Sequence, residues 1–191
     1  MMEVPEEKIL YCRDRSEWRS WLSENYLTSE DIWFVFPNKD SGEIGVTYND
    51  AVEEALCFGW IDSTSRRLDD MHQIRHFTPR RKGSTYSRPN IERLAQMDKE
   101  GKIHPDIRPS VLPLIESEYI FPDDILAEIR KDPEAWKNYQ DFSEPYRRIR
   151  VAYIDAARNR PDEFRKRLDN FIAMTRKNRI IGGYGGIDKY Y

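Results

Sequence analysis

The sequence has few of the residues and patterns that define the commonest functional classes. It contains two cysteines and three histidines among 191 residues, and they occur at no spacing typical of a zinc site. Two cysteines inside predicted regular structure are more typical of buried thiols than of a disulfide, given a reducing compartment. We therefore expect no metal site and no cofactor.

Long apolar runs are also missing. No stretch approaches the ~20 apolar residues that span a bilayer. The acidic start, with Glu3, Glu6 and Glu7, lacks the cationic and apolar segments of a signal peptide. These absences predict a soluble, cytoplasmic protein without membrane insertion. The spacing of a P-loop is absent as well, which argues against nucleotide hydrolysis.

Aromatic residues compensate for the shortage of aliphatic ones. Eleven tyrosines, eight phenylalanines and five tryptophans predict an aromatic-rich core, because each ring buries a large apolar area. Strand and helix patterns alternate up to residue 104, and helical patterns dominate later. The predicted fold is α+β, with a small mixed sheet and helices followed by a helical C-terminal segment. We divide it into an α+β domain (1–104), a proline-containing crossover with a short helix near Leu114 to Glu118 (105–121), a helical segment (122–180) and a Gly/Tyr tail (181–191).

The central stretch is residues 48–90. Thr47 and Asp50 have the spacing of a helix capping box, and Gly59 ends that helix because glycine enters a left-handed cap at little cost. The alternation after Gly59 places Trp60 and Asp62 on one side of a strand. A polar turn over residues 65–70 and a return strand over 72–77 complete a predicted β-hairpin.

A basic segment, residues 78–87, follows the hairpin. It precedes a helix for which Ser87 is a plausible N-cap. Guanidinium groups, hydroxyls and the amides of a helix start together favour the binding of an anion. The predicted ligand-binding residues are Trp60, Arg80, Arg81, Lys82, Ser84, Tyr86, Ser87 and Asn90.

Glu54 and Asp62 are the best candidates for a catalytic acid and base. A carboxylate beside an aromatic ring such as Trp60 can have a raised pKa and transfer protons. The alternative is that Arg80 and Arg81 pair with these carboxylates and tie the loop to the sheet. No Ser-His-Asp or Cys-His arrangement is recognisable in the sequence.

Two motifs in this stretch resemble a known family. Glu-Glu-Ala-Leu-Cys-Phe-Gly-Trp-Ile-Asp (53–62) and Phe-Thr-Pro-Arg-Arg-Lys-Gly-Ser-Thr-Tyr-Ser-Arg-Pro-Asn (77–90) are similar to the bacterial YdeI/OmpD-associated, or bacteriocin-protection, family. Ser63, Tyr86 and the pair Glu163-Phe164 depart from the glycine, tryptophan and Thr-Arg pair of the family pattern. The resemblance implies a role in stress, bacteriocin or antimicrobial-peptide tolerance without an established reaction.

Charge is unevenly distributed along the chain. Residues 146–179 carry eleven cations and four anions, whereas the whole chain has a net charge of −3. A basic region hints at an anionic partner. Three functions stay open: binding of a small anionic ligand, which we favour, nucleic-acid binding through the basic C-terminal helices, and an enzyme using Glu54 or Asp62 with Arg80 and Arg81 as an anion clamp. The sequence is silent on the oligomeric state.

Overall fold

The computed structural model describes residues 4–183 and 187–191. The chain forms two compact units, which we call the sheet unit (Met1–Tyr86 and Arg93–Ile115) and the helical unit (Ser87–Glu92 and Glu116–Tyr191). Within the described ranges, no helix is long and apolar enough to cross a membrane. The predicted α+β class, with a mixed sheet and mostly helical later residues, is confirmed.

The sheet unit is organised around a four-stranded sheet in the order β1-β2-β4-β3. Its strands are β1 (Ile9–Leu10), β2 (Ile32–Pro37), β3 (Trp60–Arg67) and β4 (His72–Pro79). β1 is parallel to β2, and the other two pairs are antiparallel. β2 is central and its first four residues are buried, because both faces of the sheet are covered. This explains its nearly continuous apolar sequence.

One face of the sheet carries the main core. Helices α1 (Arg15–Asn25) and α2 (Tyr48–Cys57) contribute to it. Trp18 is fully buried against Phe34 and Phe77, and its indole N–H donates to the carbonyl of Ala51 at 3.0 Å. The opposite face holds a smaller cluster of Trp33, Val35 and Ile74.

The predicted limits of α2 are confirmed by its caps. The Thr47 side chain accepts from the Asp50 amide, and Gly59 has φ of +74°, in the left-handed region that favours glycine. This closure turns the chain directly into β3, so that Trp60 and Asp62 both lie on the sheet face that packs against α2.

The predicted turn over residues 65–70 was wrong at its start. β3 continues to Arg67, with Ser65 opposite Arg75 and Arg67 opposite Gln73, after an irregularity between Asp62 and Ser65. Polar, exposed residues suit an edge strand because one side of the strand faces water. Arg66 also lies over the Trp33 ring at 4.7 Å, which a polarity pattern does not reveal.

The other helices of the chain are α3 (Arg88–Lys99), α4 (Arg108–Glu116), α5 (Asp123–Arg130), α6 (Pro133–Asp141), α7 (Glu144–Asp155) and α8 (Pro161–Arg176). α3 begins among residues of the helical unit and ends among residues of the sheet unit. α4 begins earlier than the predicted short helix near Leu114 to Glu118 and contains Pro113. Its Val111 is fully buried, so packing stabilises a helix that the prolines disfavour.

In the helical unit, Asp132 caps α6 ahead of Pro133, and Ser143 caps α7, as predicted. The core includes Ile125, Ile129, Tyr146 and Phe171. Part of the predicted Gly/Tyr tail, residues 184–186, lies outside the described residues. Of the rest, Ile187 is fully buried, and the Tyr191 ring packs against Tyr146 with 4.7 Å between ring centroids.

Candidate functional site

Glu54 belongs to a buried ion-pair network of the sheet unit, which gives it a structural (framework) role. Its side chain is 1% exposed, and its Oε2 accepts from Arg19 Nη1 at 2.6 Å, while its Oε1 accepts from Arg15 Nε. Arg15 also donates to Asp50 at 2.9 Å and to Glu53 at 2.8 Å. Burial alone would lower the pKa of Arg15, but hydrogen bonds and charges from Glu54 and Glu53 outweigh it and raise that pKa. Both oxygens of Glu54 are therefore occupied, and neither Arg80 nor Arg81 is its partner.

Asp62 lies in a different cluster. Its Oδ2 accepts from Arg75 Nη1 at 2.7 Å and from the Tyr48 hydroxyl at 3.0 Å. The Arg75 guanidinium also lies 4.4 Å from the centroid of the Tyr48 ring. Burial, and next the charge of Asp62, raises the pKa of Tyr48, so the phenol stays a donor at neutral pH. The two candidate carboxylates thus have separate partners, and those of Asp62 join α2, β3 and β4.

The basic segment is exposed and partly self-contained. The Arg80 guanidinium stacks on Tyr86 at 3.6 Å from the ring centroid and donates to Ser84 Oγ at 3.1 Å and to the Thr85 carbonyl at 2.8 Å. Arg81 and Lys82 are exposed. These contacts hold the loop in shape and replace the ion pairs with Glu54 or Asp62 that we weighed as the alternative.

The three other predicted site residues are Trp60, Ser87 and Asn90, and Trp60 pairs with Pro79 just before Arg80. Trp60 is fully buried, and its indole N–H donates to the carbonyl of Tyr26 at 3.1 Å, so its role is in the core. Ser87 and Asn90 belong to the helical unit. Ser87 directly precedes α3, and its carbonyl accepts from Ile91 at 3.1 Å.

The cysteines and one histidine bear on nucleophilic chemistry. Cys12 and Cys57 are buried free thiols, and burial raises the pKa of each to about 12, which disfavours the reactive thiolate. His76 Nε2 lies 2.8 Å from Asp31, and His76 Nδ1 lies 3.4 Å from Ser63 Oγ. The serine contact is longer than the ~2.6–3.2 Å of a working nucleophile–base pair. We assign His76 and Asp31 to bracing the strands.

A cavity of about 440 Å³ lies in the sheet unit beside the Asp62 cluster. Its walls come from the end of β2, the segment before α2 and the exposed parts of β3 and β4. The lining residues are Phe36, Pro37, Asn38, Lys39, Glu43, Gly45, Val46, Thr47, Tyr48, Ser65, Gln73 and Arg75. Its size suits a small molecule.

The lining of this cavity carries two cations and one carboxylate. Lys39 and Arg75 are its cations and Glu43 is its carboxylate, but Glu43 contacts His72 Nε2 at 3.2 Å. The side chain of Lys39, and Nε and Nη2 of Arg75, make no hydrogen bond to any residue that the structure describes. Sequence reasoning missed both cations, because neither belongs to a motif. The one available signal was that Arg75 lies on the return strand of the hairpin predicted to carry Asp62.

The basic helices α7 and α8 do not present a row of unpaired arginines. Arg148 pairs with Glu92 and Glu144, and Arg158 pairs with Asp124 and Asp155. In the same way, Arg165, Arg167 and Arg176 pair with Asp169, Glu163 and Asp132. These pairs reduce the charge available to a nucleic-acid backbone.

Two family models match the chain. Residues 10–109 match the model described as Domain of unknown function (DUF8412), and residues 118–178 match the model described as Bacteriocin-protection, YdeI or OmpD-Associated. No curated protein and no solved structure matches the chain. The predicted YdeI/OmpD-associated family is thus confirmed through residues 118–178, whereas the motifs that resemble it, 53–62 and 77–90, lie within residues 10–109.

The fold and the cavity define a class: a two-unit α+β protein whose sheet unit holds a small cation-lined cavity. With residues 10–109 of 191 matched, the chain belongs to the family of the domain of unknown function DUF8412, and it carries a YdeI/OmpD-associated domain in its helical unit.

Proposed function

We propose that this protein binds a small organic carboxylate in the sheet-unit cavity, with Arg75 as the principal partner and Lys39 as a second cation. The observation that carries the proposal is the way Arg75 is held. Asp62 accepts from Nη1 only, which leaves the Nε–Nη2 side of the guanidinium for another group. That side presents two parallel donors, the geometry that a carboxylate accepts bidentately.

The surroundings of Arg75 support the same ligand class. Its guanidinium is fixed by Asp62 and by the Tyr48 ring, so little side-chain freedom is lost on binding. Phe36, Val46 and Tyr48 line the cavity with apolar surface, which suits a ligand with an aromatic or aliphatic body. Lys39 adds a flexible second charge at the exposed side.

Calorimetric titration with benzoate tests this function. We expect binding to the wild type, a loss of about tenfold in affinity for Arg75→Lys, which keeps the charge but removes the fork, and about threefold for Lys39→Ala. Lys82→Ala is the matched control, because Lys82 is an exposed lysine of the basic segment and lies outside the cavity. An effect of Lys82→Ala or Arg81→Ala without an effect of Lys39→Ala would move the site to the basic segment.

We also propose a part in tolerance of bacteriocins or other antimicrobial peptides, supported by the description of the family that residues 118–178 match. Bacteria producing wild-type protein, Arg75→Lys protein or none would be compared for growth under bacteriocin challenge. Equal survival of all three would remove this role. Reduced survival with Arg75→Lys at normal protein levels would link the role to the cavity.

A further inference from the structure

The helical unit contains a second cavity, of about 370 Å³, which neither the motifs nor the proposed function involves. It lies between α7, α8 and residues 181–183. The lining residues are Arg150, Tyr153, Ile154, Glu163, Lys166, Arg167, Asn170, Phe171, Ile181, Gly182 and Gly183. Three cations therefore face one carboxylate around a volume suited to a small metabolite.

Glu163, the carboxylate of this cavity, is already paired with Arg167. Arg167 Nε donates to Glu163 at 2.7 Å, and its Nη1 donates to the carbonyl of Tyr153 at 2.7 Å. The Arg167 guanidinium stacks on the Tyr153 ring at 3.7 Å from the centroid. These contacts fix the guanidinium and leave Nη2 without a hydrogen bond to any residue in the described ranges. Arg167 is thus oriented before a ligand arrives.

Two neighbours of Arg167 on α8 supply further donors. Lys166 and Asn170 are one turn apart and so share a side of the helix. Both are exposed, and the side chain of neither makes a hydrogen bond or an ion pair with another residue that the structure describes. An ammonium, an amide and a guanidinium donor are therefore grouped along one helix.

The inner part of the cavity carries the remaining charge. Arg150 is 5% exposed, and its Nη2 donates to the Ile181 carbonyl and to the Tyr191 hydroxyl. A positive charge at this depth acts through a lower effective dielectric than a surface lysine does, and so attracts an anion more strongly. Ile154 and Phe171 also line the cavity and add apolar surface.

We propose that this cavity binds a small phosphate monoester. Its three terminal oxygens can accept from Lys166, Arg167 and Asn170 together, and its double charge strengthens the bonds from the ammonium and the guanidinium. The apolar surface takes the organic part. A monocarboxylate carries half the charge and fewer acceptors, and so binds this site more weakly. The site is independent of the carboxylate site in the sheet unit.

The test is titration of the full chain with phenyl phosphate and with benzoate. We expect Lys166→Ala to weaken phenyl phosphate binding about tenfold, and Asn170→Ala to weaken it severalfold, without a change in melting temperature. Lys177→Ala is the matched control, because Lys177 is an exposed lysine at the end of α8 that does not line the cavity. Lys39→Ala in the other cavity separates the two sites and should leave phenyl phosphate binding unchanged.

Several outcomes would overturn the proposal. The phosphate site is wrong if phenyl phosphate does not bind at millimolar concentration, or if Lys166→Ala and Lys177→Ala weaken it equally. Loss of phenyl phosphate binding in Lys39→Ala would place the anion in the sheet unit. Tight binding of short single-stranded RNA, reduced equally by Lys166→Ala and Lys177→Ala, would replace the cavity by a diffuse basic surface.

Discussion

In the sheet unit, Glu54 on α2 is enclosed by Arg15 and Arg19 of α1. In the helical unit, Glu92 is enclosed by Arg88 and Arg148. Each unit thus buries a carboxylate between two arginines whose forks satisfy its oxygens. In both units, a buried acidic residue beside several arginines belongs to a structural ion-pair network rather than to a reactive centre, because the carboxylate is shielded from solvent and bound to guanidinium groups.

The cavities of the two units differ in a more informative way. The sheet unit offers one fixed guanidinium and one lysine beside aromatic surface. The helical unit offers two arginines, a lysine and an amide. The first set of donors matches a planar, singly charged group, and the second matches a tetrahedral, doubly charged one.

The largest effect is expected from Glu54→Gln. Glu54→Gln removes the carboxylate that Arg19 pairs with in a buried network. Arg15 keeps its bonds to Asp50 and Glu53, and we expect the free energy of unfolding to fall by about 4 kcal/mol. Urea unfolding followed by tryptophan fluorescence measures it, since four of the five tryptophans lie in the sheet unit. Glu24→Gln, at an exposed position of α1, is the control. Equal stability of both variants would contradict the framework role.

In Glu92→Gln the free energy of unfolding should fall somewhat less, by about 3 kcal/mol, because Glu92 is 5% exposed and Glu54 is 1% exposed. Circular dichroism at 222 nm would follow the helices. If Glu92→Gln had no effect while Glu54→Gln did, the parallel between the two units would be broken.

The contribution of Glu92 to the free energy of unfolding should decrease at acidic pH. Burial alone would raise the pKa of Glu92, but the hydrogen bonds and charges of Arg148 and Arg88 outweigh it, and that pKa is lowered from its usual 4.5. The stabilisation is therefore complete above pH 4.5 and is lost as the pH falls through the lowered pKa. Wild type should lose more stability than Glu92→Gln on acidification. A parallel loss in both would contradict this.

The role of Asp62 in the contrast between cavities can be tested by Asp62→Asn. This variant keeps the volume and an acceptor for Arg75 Nη1 but removes the negative charge beside the guanidinium. We therefore expect benzoate affinity to rise about threefold. Phenyl phosphate affinity should be unchanged, since its proposed site is in the other unit. Titration with both ligands provides the measurement, and a change in phenyl phosphate affinity would contradict the assignment of the two ligands to separate cavities.

Thr175 offers a stabilising change in the helical unit. Its hydroxyl is buried and has no hydrogen-bond partner among the described residues. Thr175→Val removes this uncompensated polar group, so we expect the free energy of unfolding to rise by about 1 kcal/mol. Thermal unfolding measures the change, and a destabilised variant would show that the hydroxyl is satisfied in solution.

The smallest expected effect is a change of benzoate affinity with pH in the sheet-unit cavity. Hydrogen bonds to Asp69 and then Glu43 raise the pKa of His72 above its usual 6.5. Protonated His72 offsets the charge of Glu43 at the cavity wall. Benzoate affinity should therefore decline as the pH rises through the raised pKa of His72, and His72→Gln should flatten that profile. Titrations across this range would show whether the two profiles differ.

Much of the local structure could be predicted because its causes lie within a few residues. The Thr47 cap, the closure at Gly59 and the Asp132-Pro133 start of α6 each depend on their own backbone geometry. The end of the hairpin could not be predicted as well. Cross-strand pairing with Arg75 and Gln73 extends β3, and the local sequence of Ser65 and Arg67 carries no sign of it.

By itself, the sequence determined the fold class, the resemblance to the YdeI/OmpD-associated family and most helix starts, since these depend on periodicity, recurring motifs and capping. The tertiary structure alone decided the partner of each charge. Arg15 binds Glu54, 39 residues away in the sequence, and Arg75 binds Asp62, 13 residues away. Arg80 binds neither carboxylate and stacks on Tyr86. Charges attract without regard to sequence separation, and so only packing and strand register determine which of many arginines meets a given carboxylate, and which keep donors for a ligand.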